Sequence, residues 1–238
     1  MTRGRLNPTD GEIRVVGSIG SAEVLTTADS THAASCCDIL EIRLDLICGA
    51  DGLIDSTSWS HLREMPLLFT ARRHEEGGAG GFDAPARKAM LETSLTDAAI
   101  VDLEVASIGG MKDILDQLEE AAIPWIASFH DFVKTPSDAE LSERLEEAKQ
   151  AGAAVFKVAA MLENTRDLAR LADFQLADHA IPVATMGMGP LAAVSRLLCA
   201  QYGSVLNYGY MGDAPTAPGQ WDAATLKSAI SRLVPVRC

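Results

Sequence analysis

The chain has 238 residues, 47% apolar and 22% charged, which is the composition of a folded globular protein and excludes a disordered, collagenous or coiled-coil chain. Its 20 basic and 33 acidic residues leave a net charge of −13, so nucleic acid and anionic membrane are disfavoured as partners, while a pocket's local field can still hold a small anion. No apolar run reaches the roughly 18–20 residues of a membrane helix, the polar N-terminal stretch is not a secretory signal, and the five cysteines (Cys36, Cys37, Cys48, Cys199, Cys238) show no metal-ligand spacing, so reduced thiols in a cytoplasmic protein are expected.

In chain order, eight short β-type apolar runs are predicted at 14–20, 39–47, 66–72, 98–105, 124–131, 154–161, 182–188 and 204–211. Amphipathic helical patterns separate the later ones, the clearest at 111–122, 138–151, 163–178 and 190–202, with a last helix at 221–233. Ser137 supplies an N-cap and Gly152 a helix stop, and Pro124 and Pro182 stand at strand starts, where a missing N–H is tolerated. Eight strand–helix units in this length predict an α/β fold, a single-domain (β/α)8 TIM barrel over 1–238. An open doubly wound sheet is the weaker reading, because the first turn, Gly17-Ser18-Ile19-Gly20, lacks the GxGxxG pattern.

Strands of such a barrel are covered on both faces, so charges inside them are the informative exceptions. In the second run Leu40, Ile42, Leu44 and Leu46 share one parity, while Glu41, Arg43 and Asp45 share the other and are expected to point inward. Asp102 and Glu104 repeat this in the fourth run, Arg72 ends the third, and Ser128 and His130 share a face of the fifth. A buried ion-pair network is one reading of Asp45, Asp102 and Glu104, and a functional site at the strand ends is the other.

Lys157 is the sharpest signal. Of six lysines it alone lies in an apolar strand, where desolvation and nearby cations favour the neutral amine, the nucleophile that attacks a ketone to form an imine. His130, at the end of the preceding strand, is the natural proton carrier.

These residues resemble the type I 3-dehydroquinate dehydratase family, the imine-forming dehydratases of the shikimate pathway. The resemblance runs from about Arg14 to Leu233 and rests on six segments. They are ExRxD at Glu41–Asp45; FTxR at Phe69–Arg72 with EGG at Glu76–Gly78; SxHDFxKTP at Ser128–Pro136; FKVA at Phe156–Ala159; TMxMG at Thr185–Gly189 with Ser195-Arg196; and APGQ at Ala217–Gln220. It implies that Lys157 forms an imine with the C3 ketone of 3-dehydroquinate, that His130 is the general acid/base, and that Glu76 orients it. It also implies that Arg196 pairs with the substrate carboxylate and that Glu41, Arg43 and Arg72 hold ring hydroxyls. Thr216, where the family usually has Ser, and Gln220 sit on a lid after the eighth strand. No cofactor and no metal are implied, the partner is a small carboxylate substrate, and the expected assembly is a homodimer. Two departures stand out. Gly17 occupies a strand end where the family often has a hydroxyl residue, with Ser18 adjacent. Gly187 and Pro190 are expected to alter the turn after strand seven.

Two other functions fit the same barrel. An imine-forming aldolase for phosphorylated sugars would use a phosphate site near Gly187 and Gly189. A barrel that binds small acids without catalysis would have no need of both Lys157 and His130.

Overall fold

The computed structural model describes residues 7–49 and 52–234; the first six residues and Cys238 lie outside the described residues. The eight predicted strands form as β1 (Arg14–Ile19), β2 (Ile39–Arg43), β3 (Leu67–Thr70), β4 (Ile100–Glu104), β5 (Trp125–Asp131), β6 (Val155–Met161), β7 (Val183–Met188) and β8 (Leu206–Tyr210). All pair in parallel, in the order β7-β6-β5-β4-β3-β2-β1-β8, so the last strand lies against the first and the sheet curls into a nearly closed barrel. Around it lie α1 (Ala22–Thr27), α2 (Ser30–Cys36), α3 (Leu44–Ile47), α4 (Ala84–Ser94), α5 (Lys112–Glu120), α6 (Asp138–Gln150), α7 (Thr165–Leu176), α8 (Ala192–Gln201) and α9 (Ala223–Ile230). Ser137 caps α6 by accepting from the Glu140 N–H, and Gly152 turns the chain after it at φ +81°.

Side-chain alternation explains the layering. One parity of each strand (Leu40, Ile42, Phe69, Leu103, Phe156, Val158) joins the apolar layer beneath the helices. The other parity fills the barrel with Val16, Ile39, Leu68, Ile100, Ile126, Val155, Ala184 and Leu206. Two residues further along the strands, that inward parity turns polar: Ser18, Glu41, Thr70, Asp102, Ser128 and Lys157, all buried. The apolar plug thus ends where the polar floor of a site begins, at the strand ends where barrels of this architecture build their chemistry.

Three expectations are corrected. Strand β2 stops at Arg43 and the chain turns into α3, so Asp45 is not an inward strand residue; its carboxylate instead accepts from Arg43, the Arg72 N–H (3.1 Å) and the Ala79 N–H (3.2 Å). A 3-10 helix, Ser56–Leu62, stands where a full helix would follow β2. Gly187 lies within β7 rather than in its following turn, and an added Cβ there would meet Leu162 Cδ1 at 2.3 Å. The turn starts at Gly189 instead, with φ +79°.

The seam between β7 and β8 keeps one backbone bond and is otherwise held by side chains. The Val205 N–H donates to Val183 O (3.2 Å), the Thr185 N–H to Ser204 Oγ (3.1 Å), and the Gly187 N–H to Ser195 Oγ (2.9 Å). No helix among the described residues is long and apolar enough to cross a membrane.

Candidate active site

The cavity at the strand ends is lined by Ser18, Glu41, Arg43, Arg72, Glu76, His130, Lys157, Arg196, Thr216 and Gln220, so every residue singled out as catalytic or substrate-binding faces one space. Most arrive by strand parity or by the turn just beyond a strand, whereas Arg196 comes from α8 and Thr216 and Gln220 from the loop after β8. Lys157 is the buried lysine among the described residues, at 3% exposure in the middle of β6. Its Nζ donates to Asp102 Oδ2 (2.8 Å) and lies 4.2 Å from the centre of the Tyr208 ring.

Burial lowers the affinity of Lys157 for its proton, and the Arg72 guanidinium adds to this, against the opposing pull of Asp102 and Glu41. Asp102 itself is pushed up by burial, but Arg72 and Lys157 outweigh that and bring it down to about 2. It is therefore a fixed negative charge under the amine. Arg72 ties this floor together: it donates to Asp102 (2.9 Å), to Glu104 (3.0 Å) and to Ser128 Oγ (2.6 Å). Glu104 in turn pairs with Arg87 of α4. The buried ion-pair network that was one of the two readings of Asp102 and Glu104 is present, and it ends on the Lys157 amine.

His130 projects from the end of β5. Glu76, on the turn after β3, accepts from both its backbone N–H (2.9 Å) and its Nδ1 (3.0 Å). That pair assigns the ring proton to Nδ1 and leaves the Nε2 lone pair free. Burial holds the imidazole well below its ordinary pKa, and the cations Arg72, Lys157 and Arg43 act the same way. Burial also pushes Glu76 up to about 7.

Glu41 accepts from Ser18 Oγ and from Thr70 Oγ1 (2.7 Å). The hydroxyl at the end of β1 is therefore Ser18, and the gap read at Gly17 is corrected: Gly17 faces outward, where an added Cβ would meet Cys37 Sγ at 2.8 Å. Arg43 is held in a fork by Asp45 (3.0 and 2.8 Å). Arg196, one turn into α8, donates through one terminal nitrogen to Tyr208 O (2.7 Å), while its Nε has no partner. Burial lowers its pKa to about 10, so it remains a cation at neutral pH. After β8, Gln220 Oε1 accepts from the Thr216 N–H (2.9 Å) and Oγ1 (2.8 Å), which folds the 211–221 loop over the cavity.

Gly77, Phe132, Ala159, Met186, Met188, Tyr208 and Ala217 complete the lining and were not foreseen as site residues. Met186, Met188 and Tyr208 share the inward parity of their strands, a signal that apolar side chains hide. A phosphate subsite at Gly187 and Gly189 is disfavoured, since their N–H groups already donate to Ser195 Oγ and to Pro218 O (3.1 Å). Among the described residues no cluster of His, Cys, Asp and Glu is arranged to hold a metal.

Comparison with known proteins agrees with this geometry. Residues 18–233 match the family model for Type I 3-dehydroquinase. A 3-dehydroquinate dehydratase of Haloquadratum walsbyi is 33% identical over 224 residues, covering 90% of this chain and 91% of that protein. The 3-dehydroquinate dehydratase structure from Geobacillus kaustophilus superposes with a TM-score of 0.80 at 26% identity, covering 92% of this chain and 90% of that one. A type I enzyme from Clostridium difficile, solved with covalent modified comenic acid, gives 0.77 at 26% identity over 94% and 92% of the two chains.

Proposed function

The chain belongs to the type I 3-dehydroquinase family, and from that premise we propose that it dehydrates 3-dehydroquinate to 3-dehydroshikimate through a covalent imine on Lys157. The observation that carries this reading is a buried amine sharing one cavity with a largely buried imidazole, whose pKa burial holds low. The amine attacks the C3 ketone, water leaves, and the resulting iminium draws electrons from C2. His130 takes a C2 proton through Nε2 and then returns it to the C1 hydroxyl as that bond breaks. Hydrolysis of the imine frees the product and restores the lysine, for a net loss of one water.

The other residues hold the substrate in place. Arg196 offers its Nε to the carboxylate at C1, whose charge a strongly acidic protein would otherwise repel. Glu41 and Arg43 hold ring hydroxyls. Arg72 adds a donor beside them, with its field fixed by Asp102 and Glu104. Glu76 sets the imidazole tautomer, and the Thr216–Gln220 loop closes over the ligand. The place of action is the cytoplasm, in keeping with free thiols at Cys36, Cys37 and Cys199. The assembly is a homodimer, which sedimentation reads directly.

The test is borohydride reduction in the presence of 3-dehydroquinate. One ligand mass is expected on the peptide carrying Lys157, with none in Lys157→Ala. A label on Lys134 instead sinks the assignment.

A further inference from the structure

Among the described residues, three buried side-chain polar atoms have no hydrogen-bond partner: Arg144 Nε, Arg196 Nε and the Tyr208 hydroxyl. The last two both line the active-site cavity. Arg196 is accounted for by the substrate carboxylate, which leaves Tyr208. Tyr208 is 4% exposed, and the buried hydroxyls of Ser18, Thr70 and Ser128 at the strand ends all donate to carboxylates. A phenylalanine would fill the same space without stranding a hydroxyl, which costs roughly 1–3 kcal/mol when left unpaired. An orphan donor in a ligand cavity is satisfied by the ligand.

The position of the ring narrows the ligand atom. Lys157 Nζ stands 4.2 Å from the ring centre, so whatever bonds to Nζ lies beside Tyr208. Burial keeps the phenol protonated well above its ordinary pKa, with Asp102 and Glu41 acting in the same sense, and so it is a donor at any working pH. Building on the imine reading, we infer that the Tyr208 hydroxyl donates a hydrogen bond to the C3 oxygen of the substrate, first as ketone and then as carbinolamine hydroxyl. It is a substrate-positioning residue for imine formation and hydrolysis, and not for proton removal at C2.

The step balances without another reactant. The Lys157 ammonium passes one proton to His130, and its nitrogen adds to C3 while the carbonyl π electrons move to oxygen. The oxygen gains a second proton from the same nitrogen. The C3–O bond then breaks, and His130 returns the first proton to the departing oxygen. Both hydrogens of the released water come from the ammonium, and the iminium keeps the charge. Tyr208 transfers no proton; it holds the oxygen in line and stabilises the charge that builds on it.

Tyr208→Phe removes one oxygen atom and tests this. Rapid mixing with 3-dehydroquinate, quenched at intervals with borohydride, reads the rate at which the Lys157 adduct forms. The expected rate is at least tenfold below wild type. Exchange of the C2 hydrogen with deuterated solvent, normalised to the adduct present, is expected within twofold of wild type. The melting temperature of the free protein is expected not to fall, since the hydroxyl has no protein partner to lose. Adduct formation at the wild-type rate overturns the inference and leaves the imine reading intact. A melting temperature several degrees lower shows a structural partner for the hydroxyl and overturns it too. No adduct in the wild type overturns both readings.

Discussion

One carboxylate oxygen, Glu76 Oε2, receives two donors from His130 and so fixes both the tautomer of the ring and the turn that carries it. Replacing His130 by Ala removes the imidazole from the cavity. Turnover is expected to fall by about 100- to 10,000-fold, the usual worth of a positioned acid/base, and the covalent adduct, slower to form without that proton carrier, still builds up because the C2 step behind it is blocked. Steady-state rates with intact-mass detection of the adduct check this, and near-normal turnover would remove His130 from the chemistry. At Arg196 the argument concerns charge. Its guanidinium is buried, paired only through one terminal nitrogen, and positive. Losing one partner of a desolvated pair costs roughly 2–5 kcal/mol. Arg196→Ala should therefore weaken binding of carboxylate analogues at least tenfold, and Lys should rescue only part, because a point charge does not reproduce the fork. Calorimetric titration with an acid and its neutral amide decides it. Equal discrimination by wild type and variant would place the carboxylate elsewhere, with Arg72 next in line.

Elements explain which of these residues were legible beforehand. Strand parity was readable wherever an apolar residue alternated with a charged one, which is why Glu41, Arg43, Asp102, Glu104, His130 and Lys157 stood out. Parity says nothing about where a strand ends. Asp45 continues the alternation of β2 on paper, yet the chain has already turned, and the carboxylate pins the loop at Ala79 and the fork of Arg43. The departure read at Gly17 has a related cause: one residue of register turns Ser18, and not Gly17, toward the cavity. Apolar lining residues such as Tyr208 and Met186 were hidden, since inside a barrel they look like core. The β7/β8 seam was also invisible, because beyond one backbone bond its links run from backbone to the hydroxyls of Ser204 and Ser195. Ser195→Ala tests that device. It strands the Gly187 N–H, at a cost of about 1–3 kcal/mol, and Ser195 adjoins Arg196 on α8. A lower urea midpoint with an unchanged slope is expected, together with weaker binding of carboxylate ligands. An unchanged midpoint would mean that the amide finds another acceptor.

At the scale of the molecule, the site and the scaffold share one ionic chain. It runs from Lys157 on β6 through Asp102 on β4 and Arg72 beyond β3 to Glu104 and then Arg87 on α4. Nearly half the barrel is therefore clamped by the charges that also tune the amine. Removing one member of such a buried set leaves its partners uncompensated, at roughly 3–5 kcal/mol. Asp102→Asn keeps the shape and deletes the charge, so at pH 7 its stability should fall by about that amount. The pH dependence carries the sharper test. Although burial opposes it, Arg72 and Lys157 hold the Asp102 carboxyl at about 2 in the fold, against 3.8 for a free side chain. In the interval between those values the unfolded chain binds a proton that the folded one does not. The stabilisation is thus complete above the unfolded value and is lost as pH falls toward 2, by roughly 2–3 kcal/mol in all. Glu104, which burial raises but Arg72 and Arg87 lower further, acts in the same direction and is present in both proteins, so it cancels in the comparison. Urea unfolding of wild type and Asp102→Asn should show a constant gap from pH 7 to about 4 that narrows below it. A gap that stays constant from pH 7 down through about 2 would mean that the fold leaves the Asp102 carboxyl where a free side chain has it. The pairing of Asp102 with Arg72 and Lys157 would then add nothing to the stability of the barrel.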